Sequence, residues 1–213
     1  KTHVIADTEG MKRLGMTPGS PAWLHRASGG FVEVDRIEGH GPPDAKSGYA
    51  DYLRAHGYKG DDPWTEHVVG ADGPEGETAS GWFLRNLHLP ARVAEEHSET
   101  AYVTGCALNY LAEQGQKPWA LHLSYVKPHW PYLAPAPYHQ RYGPEDMLPV
   151  KKRASELIDP HPVVAAYMQM EESQTFARDE VVRQVRPVYM GLIEQVDHHI
   201  GRVLDFLERQ GLM

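Results

Sequence analysis

Hydrophobic and polar positions recur with helical spacing in two long stretches. From Asp179 to Arg209, Val182, Val185, Tyr189, Leu192, Val196, Ile200, Val203 and Leu207 return every three or four residues, which lays them along one stripe of a helix. Gly211 reads as its C-cap, and Pro187 either kinks it or marks its true start. From Ser98 to Gln114 the pattern repeats, with Ser98 or Thr100 placed to cap the first turn and Gly115 to stop the last. Tyr49 to His56 reads as a short helix ended by Gly57. Trp119 to Val126 has apolar residues on both alternating faces, the signature of a strand covered by helices. Residues 31–37 alternate as a half-exposed strand does, and Val4-Ile5 reads as the end of another. Asp7 to Leu14 forms a helical turn, Gly39 to Asp44 a turn, and Val163 to Glu172 a modest helix in an otherwise loop-rich 143–176.

A helix running directly into a buried-type strand is an α/β unit, so a central sheet flanked by helices is expected. At 213 residues one domain is the default, and 1–213 is read as part of a single domain. Within it, 40–85 is rich in Gly, Asp, Glu and Pro around Trp64 and Trp82, and reads either as a loop-rich flap near the site or as a peripheral insertion. The chain starts at Lys1 without an initiator Met, and Leu212-Met213 follow a helix stop, so an internal piece of a longer protein is expected. With 41% hydrophobic and 23% charged residues it has the make-up of a globular domain. The net charge of −8 supplies no basic stripe for phosphates, which argues against nucleic acid. No apolar run is long enough to cross a bilayer. The single cysteine leaves the compartment open, with cytoplasmic favoured over periplasmic, and homo-oligomerisation is left open as well.

Candidate chemistry gathers at the carboxyl end of the Trp119–Val126 strand, in Lys127-Pro128-His129. Pro128 lacks an N–H and should end sheet pairing there. In an extended chain residues two apart point the same way, so Lys127 and His129 are expected to project together, a fixed cation beside a titratable imidazole. Lys1-Thr2-His3 repeats the spacing. Such pairs suit a tetrahedral anion, and the mouth of an α/β sheet is where ligands bind. Despite 13 histidines, no metal set can be assembled from spacing. His198 and His199 face about 100° apart on a helix, which suits a helix-surface or packing role rather than chelation. Cys106 sits within a helical pattern as a small hydrophobe, Lys151-Lys152-Arg153 as a solvated face, and no P-loop or Gly-X-Ser-X-Gly elbow is present.

The stretch Trp119 to Tyr138 closely resembles the middle of the sulfatase family of the alkaline phosphatase superfamily, nearest its phosphonate monoester hydrolase and arylsulfatase branch. Lys1-Thr2-His3 resembles the family's Gly-Lys-X-His segment, and Tyr189 to Leu204 the helix before its second metal-binding strand. The resemblance implies an alkaline phosphatase-like α/β sandwich with a central mostly parallel sheet, incomplete at both ends. It also implies hydrolysis of small sulfate, phosphonate or phosphate esters, using a divalent cation (Ca, Mg or Mn) and a formylglycine made in a Cys/Ser-X-Pro-X-Arg motif. Cys106 is followed by Ala-Leu-Asn-Tyr, so nucleophile and metal ligands are expected outside the chain, which alone should be inactive. By the same resemblance Lys1 binds the ester's oxyanion, His3 helps expel sulfate, and His129 holds peripheral oxygens and protonates the leaving alcohol. Lys127 binds substrate or stands behind it, and Trp130 and Tyr132 either wall the pocket or pack. The alternative is a binding domain that keeps the fold without the chemistry; a His-rich metal carrier is a third reading.

Overall fold

The computed structural model describes residues 7–37 and 48–213. Lys1, His3, the Val4-Ile5 strand end and the Gly39–Asp44 turn lie outside the described residues. The helices are α1 (Thr8–Arg13), α2 (Pro21–Ala27), α3 (Tyr49–Ala55), α4 (Glu99–Gln114), α5 (Pro162–Tyr167), α6 (Glu171–Phe176) and α7 (Asp179–Arg209). Between α3 and α4 run a π-helical turn, Trp64–Val68, and an antiparallel hairpin of β1 (Gly70–Asp72) and β2 (Thr78–Ser80).

The two long helices form where their sequences supply both ends. At α4, Ser98 accepts from the Ala101 N–H at 3.2 Å, and Gly115, at φ +56°, lets its own N–H reach the Leu111 carbonyl. α7 runs without interruption through Pro187, which is buried inside it, so the proline does not mark its start. Val181, Val185, Val188 and Leu192 turn one face of α7 inward, where it packs on α4 and on the helical turn Tyr138–Gln140.

Two apolar cores result. The first joins Tyr49 and Leu53 of α3 to Trp64, Val68, Val69, Ala71 and Ala79 of the π turn and hairpin, with Leu133. The second joins the inner face of α7 to Leu87 and Ala134. The stretch read as a loop-rich flap or a peripheral insertion contributes much of the first core over its described part. Consecutive residues Leu133 and Ala134 enter different cores, so the segment after His129 is wedged between them. Gly81 has to be glycine here: a Cβ would lie 2.8 Å from Leu133 Cβ and 2.9 Å from the Val69 carbonyl.

The expected central, mostly parallel sheet is not seen; among the described residues the only ladder is the two-stranded hairpin, with one isolated bridge from Ala71 to Ala91. Residues 119–126 keep a strand's alternation, with Trp119, Leu121, Leu123 and Tyr125 partly buried and Ala120, His122 and Ser124 exposed, but they pair with no other described strand. Residues 31–37 likewise form no ladder, and Val32 is 84% exposed. A strand, unlike a helix, needs a neighbour to take its backbone hydrogen bonds, and alternation alone does not provide one.

Candidate functional site: the Lys127–Tyr132 turn

At the end of residues 119–126 the chain turns sharply. The His129 N–H donates to the Val126 carbonyl at 3.0 Å, closing a turn across Lys127-Pro128. That turn breaks the extended periodicity, so Lys127 and His129 do not project together as expected. Lys127 points inward and is only 7% exposed, with Nζ donating to the Pro131 carbonyl at 2.6 Å. Burial pushes its pKa down, and the negative charge of Glu99 works against that. Glu99, 3% exposed in the first turn of α4, accepts from the Trp64 indole N–H at 2.9 Å.

His129 faces outward. Its Nδ1 lies 2.6 Å from the Trp130 carbonyl. Because a carbonyl only accepts, Nδ1 carries the hydrogen. Trp130, 38% exposed, stands edge-on to Trp82 at 4.4 Å between ring centroids, and Trp82 in turn leans on Trp64 at 6.3 Å. Tyr132 instead meets Tyr189 of α7 edge-on at 5.8 Å and packs against the second core. The exposed aromatic next to His129 is therefore Trp130, and Tyr132 has a packing role. Below the turn, the Ala134 carbonyl accepts from Ala91 N–H at 2.9 Å.

Beside residues 121–126 runs a groove of about 250 Å³, walled by residues 34–37 and floored by Val103, Cys106, Ala107 and Tyr110 of α4. Cys106 is half-buried there, and burial and the Asp35 carboxylate push its thiol up, away from the thiolate a nucleophile needs. Asp35 also accepts from the Tyr102 hydroxyl. Of the two helix histidines, His199 is buried and bonded to Glu95 at 2.8 Å, whereas His198 is exposed. Among the described residues no group of three or more His, Cys, Asp or Glu is placed to hold a metal ion. The described residues therefore do not by themselves make up a divalent-cation site.

Lys1 and His3, outside the described residues, cannot be placed relative to His129. What sequence reasoning missed is the support of the turn. The stretch around Trp82 read as a flap near the site or a peripheral insertion without its contact with Trp130 being foreseen, and Glu99 looked like an ordinary acidic residue in a first helical turn.

Comparison with known proteins places this geometry. The sulfatase family model matches residues 22–213. Over 134 residues the chain is 34% identical to the multifunctional alkaline phosphatase superfamily protein PehA of Trinickia caryophylli, covering 57% of this chain and 26% of that protein. It is 27% identical over 184 residues to a choline-sulfatase of Rhizobium meliloti (strain 1021), covering 80% of this chain and 35% of that one. Among solved structures, the phosphonate monoester hydrolase SpPMH from Silicibacter pomeroyi superposes with a TM-score of 0.69 at 28% identity, over 93% of this chain and 39% of its own. The phosphonate monoester hydrolase of Agrobacterium radiobacter shares the fold, with a TM-score of 0.68 at 22% identity. The chain thus spans about a quarter to two fifths of the length of these relatives. Helices α3 to α7, the wedged proline segment and the His129 turn all fall within the stretch that the family pattern covers, and the chain belongs to the sulfatase family.

Proposed function

We propose that the protein containing this chain hydrolyses small sulfate or phosphonate monoesters, with His129 as the acid that protonates the departing alcohol, and that residues 1–213 alone are inactive. One observation carries the reading. An exposed imidazole, its Nδ1 tied to the Trp130 carbonyl, is held on a firmly packed turn, in a chain that superposes over 93% of its length on a phosphonate monoester hydrolase. In this reading Nε2 is the proton donor. As the ester bond breaks, negative charge grows on the leaving oxygen, and a proton from Nε2 neutralises it. Trp130 offers an apolar edge to an aryl or alkyl leaving group. By family resemblance Lys1 and His3 face the oxyanion and the nucleophile. The formylglycine and the divalent cation, where present, would supply the nucleophile and charge neutralisation.

The test uses the full-length protein with 4-nitrophenyl sulfate and with aryl and alkyl monoesters of phenylphosphonate. His129→Ala is expected to lower kcat by about 10²-fold or more for a poor alkyl leaving group. For 4-nitrophenolate, which leaves with little help, the loss should be much smaller. Equal losses across leaving groups would remove His129 from the acid role. A wild-type protein without turnover on any of these esters, yet binding sulfate or phosphonate, would favour the non-catalytic binding domain.

A further inference from the structure

The lysine of the turn is buried, and its ammonium donates to the Pro131 carbonyl rather than reaching out beside His129. Burying an ammonium is costly unless it is both hydrogen-bonded and near an opposite charge, and Lys127 has both, through Pro131 and through Glu99. Its hydrogen bond spans the stretch that carries His129: one end is fixed at residue 127, the other at residue 131. The bond therefore shortens the turn across its base, as a strut would. Glu99 is itself held by the Trp64 indole, and Trp64 belongs to the first core. The turn is thus anchored at both its polar base and, through Trp130 on Trp82, its aromatic edge.

We infer that Lys127 is a positioning residue: buried under the turn, it clamps the Pro131 carbonyl and so fixes where His129 presents its imidazole, without itself touching the substrate. The inference rests on the reading of His129 given above. It adds the negative charge of Glu99, itself held by the Trp64 indole, as what favours the charged form of the buried ammonium.

Lys127→Met keeps the length and apolar stem but removes the ammonium. In the full-length protein it is expected to lower kcat about tenfold or more while KM stays within about twofold, because substrate binding survives and the placement of the acid does not. In a His129→Ala background the same substitution should add less than about twofold, since there is then no acid left to misplace. A substrate ligand would behave otherwise, with a raised KM and losses that multiply across the two variants, and that result overturns the inference. So does an unchanged kcat.

Two measurements keep the outcome readable if the variant folds poorly or the wild type turns over no ester. In the wild type, Lys127 should resist reductive methylation with or without inorganic sulfate. Labelling that sulfate prevents would make it a ligand. In any folded Lys127→Met protein, the imidazole carbon resonance of His129 should shift and broaden, and an unchanged signal refutes the clamp. An inactive wild type with a shifted His129 signal would sink the proposed function and leave the clamp standing.

Discussion

His199 is a fully buried histidine, and its partners decide its form. Arg202 Nη1 lies 3.0 Å from Nδ1 and can only donate, so Nδ1 accepts and Nε2 carries the hydrogen that reaches Glu95 at 2.8 Å. A neutral imidazole satisfies both contacts. Glu95 accepts again from the Gln195 side chain at 3.1 Å, and Gln195 also donates to Ser98, the cap of α4, at 3.0 Å. One carboxylate thus ties the middle of α7 to the entrance of α4. Replacing Glu95 with Ala leaves the His199 N–H without its acceptor in the interior and is expected to cost about 1–3 kcal/mol in urea unfolding. Burial pushes the Glu95 carboxyl up, but hydrogen bonds from His199 and Gln195 outweigh it and hold the pKa below the ordinary 4.5. A depressed carboxyl contributes stability that is present above its unfolded pKa and lost as pH falls through the folded one. The gap between wild type and Glu95→Gln should accordingly be constant near neutrality and narrow below about pH 4.5. A gap independent of pH down to acid unfolding would show that the charge on Glu95 does not matter. The pairing itself was not legible in the chain, where Glu95 and His199 lie 104 residues apart, although the adjacent histidines did read as surface or packing residues, the roles that exposed His198 and buried His199 fill.

At the scale of elements, two helical glycines make opposite predictions. Glycine inside a helix is worth about 1 kcal/mol less than alanine, so Gly→Ala ordinarily stabilises. In α4, a Cβ on Gly105 would meet nothing within 4 Å, and Gly105→Ala should raise stability by about 0.5–1 kcal/mol. In α7, a Cβ on Gly191 would sit 2.0 Å from the Tyr138 carbonyl oxygen, a backbone atom that cannot step aside. The clash outweighs the propensity gain, and Gly191→Ala should cost about 1–3 kcal/mol as α7 is pushed off the Tyr138–Gln140 turn. Thermal melts of the two variants check the pair; a stabilised Gly191→Ala would mean that α7 does not pack this closely. The same contrast explains what the sequence could disclose. α4 and α7 were readable nearly to the residue because a helix pairs its backbone within itself and its caps are local. The closeness of α7 to Tyr138 was not, since it depends on a segment some fifty residues away. The turn at Lys127 failed for a similar reason: Pro128 correctly marked the end of the extended stretch, but the inward swing of Lys127 answers to Glu99 and Pro131, which no spacing rule connects.

For the whole molecule, the family was legible from Trp119–Tyr138 and from the α7 pattern, whereas the central sheet was not realised among the described residues. The physical reason is the same in both directions. Residues 119–126 have a strand's composition and its alternation of exposure, so the segment is committed to extended structure, but no other described strand pairs with it. The relatives that share this fold are much longer, with SpPMH superposing through only 39% of its chain. An edge with unsatisfied N–H and C=O groups exchanges with solvent and invites pairing. Taken alone, residues 1–213 should therefore exchange the amides of 120–126 as fast as loop residues such as 150–153, while amides in the middle of α4 and α7 stay protected. In the full-length protein the same amides should be slowed by orders of magnitude if further strands flank this segment, and His129 would then emerge at the end of a sheet. Hydrogen exchange followed by mass spectrometry distinguishes the cases. Protection of 120–126 already present in the shorter chain, and independent of its concentration, would mean that a partner strand lies within residues 1–213. Protection that grows with concentration would mean that a second copy supplies it. Fast exchange in both chains would leave the segment outside any sheet, and the turn at Lys127 would then owe its position to the clamp and the tryptophans alone.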